Sequence, residues 1–111
     1  MRLNLAMNYG GKAEIIHAVR LLAQEVKSGI LEPENIDEKL FEQRLYTVGQ
    51  PPVDLLIRTG GDIRVSNFLL WQIAYAEIVV NKKFWPDFTE KDLDQAIEEY
   101  TKRDRRFGGI K

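Results

Sequence analysis

The segment Val53-Asp54-Leu55-Leu56-Ile57-Arg58, followed at once by Thr59-Gly60-Gly61-Asp62, constrains this chain more than any other. Its apolar run is broken only by Asp54, the pattern of a strand covered on both faces rather than one. The paired glycines then end the strand in a loop. Such a strand needs neighbours beside it and helices above and below, and the flanking sequence offers both. Leu3 to Met7, ended by Asn8-Tyr9-Gly10-Gly11, reads as a second buried strand, and Glu77-Ile78-Val79-Val80 as a third. Ile15, Val19, Leu22 and Val26 recur at helical spacing, with Gly29 as the stop. Ile36, Leu40 and Phe41 predict a shorter helix starting near Asn35 or Asp37, and Gln50-Pro51-Pro52 closes that section. Ser66 is placed to cap a buried helix over Phe68 to Ala76. Thr89 with Asp92 is a weak capping box, and Leu93, Ile97 and Tyr100 mark the expected inner face of a last helix. Strand–helix alternation of this kind predicts an α/β fold with a partial, mostly parallel sheet flanked by helices. Three strands make a thin sheet with two open edges, so residues 1–111 read as a single truncated domain, part of a larger fold.

Composition narrows the partners. Basic and acidic residues nearly cancel, to a formal charge of −1, so there is no general basic field to attract nucleic acid. There are 0 cysteines, which removes disulfides and thiolate metal sites and is compatible with a reducing, cytoplasmic setting. The apolar start is cut by Asn4 and Asn8, unlike a signal peptide, and the longest apolar stretch, near Phe68 to Val80, is interrupted by Gln72 and Glu77. Peripheral contact with a membrane stays open.

Arg58, Arg64 and Ser66 surround the glycine pair, where a strand ends and a helix is expected to begin. Ligands of open α/β sheets bind beyond the carboxyl ends of the strands, and glycine loops with helix starts present backbone N–H groups to phosphate oxygens. Two guanidinium groups add planar, forked donors. A second arrangement satisfies the same residues: Arg58 and Arg64 paired with Asp54, Asp62 or Glu77, and Ser66 acting only as a cap. Neither a Walker loop nor a dinucleotide fingerprint is present. The lone His17, amid apolar neighbours, has no ligand partners in the pattern.

At these residues the chain resembles the cis-prenyltransferase family of the undecaprenyl-diphosphate-synthase type. The resemblance rests on Asp54-Leu55-Leu56-Ile57-Arg58-Thr59-Gly60-Gly61, on Arg64-Val65-Ser66-Asn67-Phe68-Leu69-Leu70-Trp71-Gln72 and on Tyr75-Ala76-Glu77. Asn8-Tyr9-Gly10-Gly11 with Glu14-Ile15, Phe84-Trp85-Pro86-Asp87-Phe88 and Arg105-Arg106-Phe107-Gly108-Gly109 resemble further blocks of that family, in the same order. The resemblance implies condensation of isopentenyl diphosphate with an allylic prenyl diphosphate in cis geometry, with Mg²⁺, towards a long-chain polyprenyl (undecaprenyl) diphosphate. It implies that Arg58, Arg64 and Ser66, with Asn8, bind substrate diphosphate. Glu77 would match a carboxylate that helps hold Mg²⁺ across a dimer interface. Arg106 and Gly108 would match a tail motif reaching the partner subunit's diphosphate.

Two departures limit what the resemblance carries. The family's upstream loop, with a Met-Asp-Gly-Asn-Gly-Arg core and an essential aspartate, does not occur within these 111 residues. The expectation is therefore the C-terminal part of an enzyme, inactive alone, as a homodimer or a dimer with a full-length homologue. The alternatives are an accessory, non-catalytic subunit of a heteromeric prenyltransferase and a stand-alone phosphate-binding α/β domain. Second, Gly61-Asp62-Ile63-Arg64 stands where many bacterial members have Gly-Glu-His-Arg, so the acid has a shorter reach and the histidine is replaced by an apolar side chain.

Overall fold

A computed structural model describes residues 1–103, so the predicted contributions of Arg106 and Gly108 lie outside the described residues. The chain forms two compact units, Met1–Pro51 and Pro52–Lys111, meeting in sequence at the Pro51-Pro52 pair expected to close a section.

In the first unit, α1 (Gly11–Lys27) is packed against α2 (Glu38–Glu42). Helix α1 ends as the sequence predicts: Ser28 is the cap, and Gly29 takes a positive φ of 83°, which a glycine adopts without a steric penalty. Asp37 caps α2 by accepting a hydrogen bond from the Leu40 N–H at 2.8 Å. The inner face of α1 differs from the expected apolar stripe. Glu14, Ala18 and Leu22 are buried, whereas Val19 is exposed and Ile15 and Val26 are half-buried. The stripe is displaced because the Glu14 carboxylate, only 1% exposed, turns inward. It accepts hydrogen bonds from the Tyr9 hydroxyl and, at 2.7 Å, from the Tyr46 N–H. The neighbouring Glu25–Arg44 pair, doubly bonded at 2.6 and 2.7 Å, joins α1 to the residues after α2. That hydrogen bond holds the Glu25 carboxyl below its ordinary value.

Leu3 to Met7 is not a strand. Leu3, Leu5 and Met7 are exposed, and the first unit contains no strand for them to pair with; a strand exists only through its partner.

The second unit holds two parallel strands, β1 (Leu55–Arg58) and β2 (Glu77–Val80), in register Leu55 to Glu77 through Arg58 to Val80. The sheet thus has two strands among the described residues, not three. Helix α3 (Glu90–Thr101) packs against both strands. Val79 is buried, whereas Ile78 and Val80, alternating to the other side, are exposed, and the residues of β1 are half-buried. The both-face coverage expected for β1 is not present in this unit. On α3 the expected inner face is also turned: Asp92 and Ala96 are buried, while Leu93 is 41% and Ile97 44% exposed. Asp92 faces inward because its charge is fully employed there, as described below.

The helix expected over Phe68 to Ala76 is a succession of turns. Ser66, Asn67 and Leu69 have φ of 49°, 65° and 43°, left-handed conformations incompatible with a helix start, so Ser66 is not an N-cap. A segment this short gains helicity mainly from burying one face, and only Ile73 is buried in it.

The start of α3 is the best-organised helix end. Asp92 Oδ2 accepts from the Thr89 N–H at 2.8 Å and the Thr89 hydroxyl at 2.9 Å, and the Asp92 N–H donates to Thr89 Oγ1 at 3.4 Å, a complete capping box. The Lys83 ammonium adds a contact at 3.1 Å. The Thr89 N–H, then Lys83, hold the Asp92 carboxyl down to about 2. A folded-state value below that of the unfolded chain stabilises the fold above the unfolded value, near 4, and the stabilisation is lost as pH falls towards about 2. Asp92→Asn is expected to lower thermal stability at pH 7, with the deficit shrinking steadily below pH ~4. Thr89→Ala should cost about 1 kcal/mol. Thermal melts followed by circular dichroism between pH 7 and pH 2 check both, and a pH-independent deficit for Asp92→Asn would contradict the assignment.

Candidate functional site

The carboxyl end of β1 delivers Arg58 to the edge of the sheet, and the chain turns back through Thr59 to Asp62. Gly60 and Gly61 have φ of 84° and 77°, conformations that a side chain would strain. These values let the two glycine N–H groups turn to β2's exit: Gly60 N–H donates to the Lys83 carbonyl at 2.7 Å and Gly61 N–H to the Asn81 carbonyl at 3.0 Å. Asn81 N–H in turn donates to the Arg58 carbonyl at 2.8 Å, and Asn81 Oδ1 accepts from the Lys83 N–H at 2.8 Å. The glycine amides expected to face phosphate are therefore consumed internally. Their work is to lock the loop onto the end of the neighbouring strand.

What the locked loop presents is a side-chain cluster. Arg58 Nη2 donates to Asp62 Oδ2 at 3.2 Å and lies 3.4 Å from Ser66 Oγ, while Arg64 Nη2 donates to Asp62 Oδ1 at 3.4 Å. The two arginines converge on Asp62, one of the acids weighed as their partner, and Ser66 joins them beside Arg58 rather than capping a helix. The positive φ of Ser66 and Asn67 turns the chain back so that Ser66 reaches Arg58. Arg58 Nε is buried without a hydrogen-bond partner, a donor still to be satisfied. Arg64 is largely exposed and Asp62 half-buried, and Ile63, 87% exposed, projects from the same loop. Chemically, this is a solvent-facing cluster of two guanidinium groups, one hydroxyl and one carboxylate.

Glu77 does not join it. Parallel register places Glu77 opposite Leu55, at the amino end of the sheet, three residues and roughly 10 Å along the strand from Arg58. Its carboxylate is 3.5 Å from Arg103 Nη1. Arg103 also donates to Glu99 at 2.6 Å, and that bond, with Glu77 contributing less, raises its pKa above the ordinary arginine value. Among the described residues no three His, Cys, Asp or Glu side chains are grouped to hold a metal ion. Asn8, in the first unit, has a φ of 52° and leads through Tyr9 and Gly10 into α1. Two organising residues were not singled out from the sequence. Arg103 lies one helical turn beyond Glu99, a spacing that signals a pair. Glu14 stood only as part of a block, since its partner Tyr46 is distant in sequence.

Residues 1–108 match the family described by its model as undecaprenyl diphosphate synthase. The chain belongs to that family. The undecaprenyl diphosphate synthase family includes an isoprenyl transferase of Heliobacterium mobile, 54% identical over 109 residues, which cover 98% of this chain and 42% of that protein. The (2E,6E)-farnesyl-diphosphate-specific ditrans,polycis-undecaprenyl-diphosphate synthase of Escherichia coli K12 is 50% identical over 98% of this chain and 43% of its own length. Among solved structures, lavandulyl diphosphate synthase from Lavandula x intermedia, in complex with dimethylallyl diphosphate, superposes with a TM-score of 0.90 at 47% identity, over 95% of this chain and 45% of that one. The chain therefore spans about two fifths of the length of these relatives. This family membership bears out the resemblance carried by the blocks around Arg58 and Glu77, and the partial α/β fold with its parallel strands.

The loop lock makes Gly60 a structural position. A β-carbon there would meet the Phe84 ring at 3.7 Å, ordinary contact, so the penalty is in the backbone alone. Gly60→Ala is expected to destabilise the fold by about 1–2 kcal/mol, lowering the melting temperature by several degrees. An unchanged melting curve would show that the loop is not held in this conformation.

Proposed function

We propose that these residues supply the isopentenyl-diphosphate half of a cis-prenyltransferase site, in which isopentenyl diphosphate condenses with an allylic diphosphate towards a long-chain polyprenyl diphosphate. The convergence of Arg58, Arg64 and Ser66 beyond the carboxyl end of β1 carries this reading. Two guanidinium groups meet the charge and planar geometry of a diphosphate, and the serine hydroxyl adds a neutral donor. The unpaired Arg58 Nε gives the site an unmet need that a phosphate oxygen fits. The names of the relatives from Heliobacterium mobile and Escherichia coli support the same chemistry.

In this reading, binding and orientation are the work of the loop, while ionisation of the allylic partner needs the family's aspartate loop, which does not occur within these 111 residues. Glu77, at the other end of β2, serves a different site from the arginines of its own chain. It contributes one carboxylate to Mg²⁺ shared with a second subunit, once released from Arg103. Bound there, Mg²⁺ would neutralise diphosphate charge. The exposed Leu93 and Ile97 on α3 favour a dimer that covers them, whether with a second copy or with a full-length homologue. Asn8, Arg106 and Gly108 remain proposed contacts to diphosphate on the strength of the family blocks.

Two measurements test this. Isothermal titration of the chain with isopentenyl diphosphate should show saturable binding that Arg58→Ala weakens by ten- to a hundredfold, the loss expected of a charged hydrogen-bonding partner. Indifference to Arg58→Ala would remove the site. Separately, a polypeptide of these 111 residues supplied with Mg²⁺, farnesyl diphosphate and labelled isopentenyl diphosphate should give no elongation above a no-enzyme control. Elongation would show that the missing aspartate loop is dispensable.

A further inference from the structure

We propose that Asp62 is a tethered competitor for the diphosphate site: an internal anion that holds Arg58 and Arg64 together when no substrate is bound and must be displaced for a diphosphate to enter. The inference rests on the site reading above and adds to it a residue that sets how tightly the site closes on its ligand.

The geometry of the cluster is that of a stand-in anion. Each carboxylate oxygen serves a different arginine, Oδ2 for Arg58 and Oδ1 for Arg64, so a single monoanion bridges two cations. A phosphate group bridging the same cations would use two of its oxygens in the same way. The contacts are long, at 3.2 and 3.4 Å, against 2.7–2.9 Å for a well-formed charge-assisted bond. The Glu25–Arg44 pair of the first unit, at 2.6 and 2.7 Å, shows what a committed pair looks like in this protein. Asp62 is also 46% exposed, so water competes for its oxygens and the pairs are readily exchanged.

The tether is short and stiff. Asp62 follows Gly60 and Gly61, whose amides are fixed to the Lys83 and Asn81 carbonyls, so its backbone cannot drift from the arginines. It lies four residues after Arg58 and two before Arg64. A carboxylate so placed acts at high effective concentration and excludes small ambient anions from the cluster. A diphosphate carries more charge and more acceptor oxygens, offers both guanidinium groups short bonds, and can reach the unsatisfied Arg58 Nε as the side chain moves. The protein thus gives up affinity in return for arginines that stay gathered and charge-compensated while empty.

The experiment is isothermal titration of the chain with inorganic pyrophosphate and with isopentenyl diphosphate, at fixed salt, for the wild type, Asp62→Asn, Asp62→Ser and Arg58→Ala. Removing the competing charge should tighten binding of both ligands by about tenfold, or about 1.4 kcal/mol, in both Asp62 variants, while Arg58→Ala weakens it. Unchanged or weaker binding in the two Asp62 variants, with Arg58→Ala still weakening it, overturns the competitor role and leaves the site in place with Asp62 as an orienting residue. Binding that is insensitive to Arg58→Ala, or absent throughout, overturns the site reading and this inference with it. Circular dichroism melts of each variant separate lost binding from lost folding.

Discussion

The parallel pairing of β1 with β2, extended past the strand ends by the two glycine amides, is the constraint on which the second unit depends. A two-stranded sheet is weak by itself, because each strand has only one neighbour and one covered face. Here the ladder does not stop at Arg58. Asn81 N–H takes the Arg58 carbonyl, and Gly61 and Gly60 then reach back to Asn81 and Lys83. The side chain of Lys83 continues the connection to Asp92, whose carboxylate closes the capping box of α3. Helix start, strand end and site loop are therefore joined by one continuous set of hydrogen bonds.

The first unit is organised by a single buried acid in a comparable way. Glu14 collects Tyr9 from the segment before α1 and the Tyr46 amide from the turns after α2. Burial of a carboxylate is unfavourable unless its oxygens are satisfied, so the position holds only while both partners are present. Tyr46 also packs against the rings of Tyr9 and His17, which gives the histidine a structural place. In both units, then, the buried face of the principal helix is read from where an acidic side chain finds donors, not from where the apolar residues lie.

That point explains what was and was not legible in the sequence. Local signals were reliable: Asp37, Gly29 and the Thr89–Asp92 box each depend on a few adjacent residues, and each stands where the pattern places it. The strands at Leu55 and Glu77 were equally clear, since short runs of β-branched residues and leucine bounded by turn residues leave few alternatives. The apolar stripes of α1 and α3 misled because Val19, Leu93 and Ile97 are exposed, and periodicity reports which face is apolar without reporting what is present to cover it. The segments Leu3 to Met7 and Phe68 to Ala76 failed for the same reason: strand and short helix both require a partner surface. In the site, the convergence of Arg58, Arg64 and Ser66 followed from their spacing, but the fate of the glycine amides did not, because their acceptors, Asn81 and Lys83, lie some twenty residues away across a ladder.

The site loop and the anion it is suited to are linked by this division of labour. In a loop where backbone amides cradle phosphate, the glycines themselves carry part of the affinity. Here the amides bind the carbonyls of the neighbouring segment, so in the proposed site affinity comes from side chains, and its two guanidinium groups need something to hold them in place while it is empty. If Asp62 acts as proposed, the carboxylate on the same loop does this, at the cost of competing with the ligand. The short side chain of Asp62 keeps its charge near the loop backbone, while Ile63 adds an apolar side chain pointing into solvent beside it. On the proposed reading, a glycine-locked loop, two cations and one tethered anion each account for a feature of the others that would be wasteful alone.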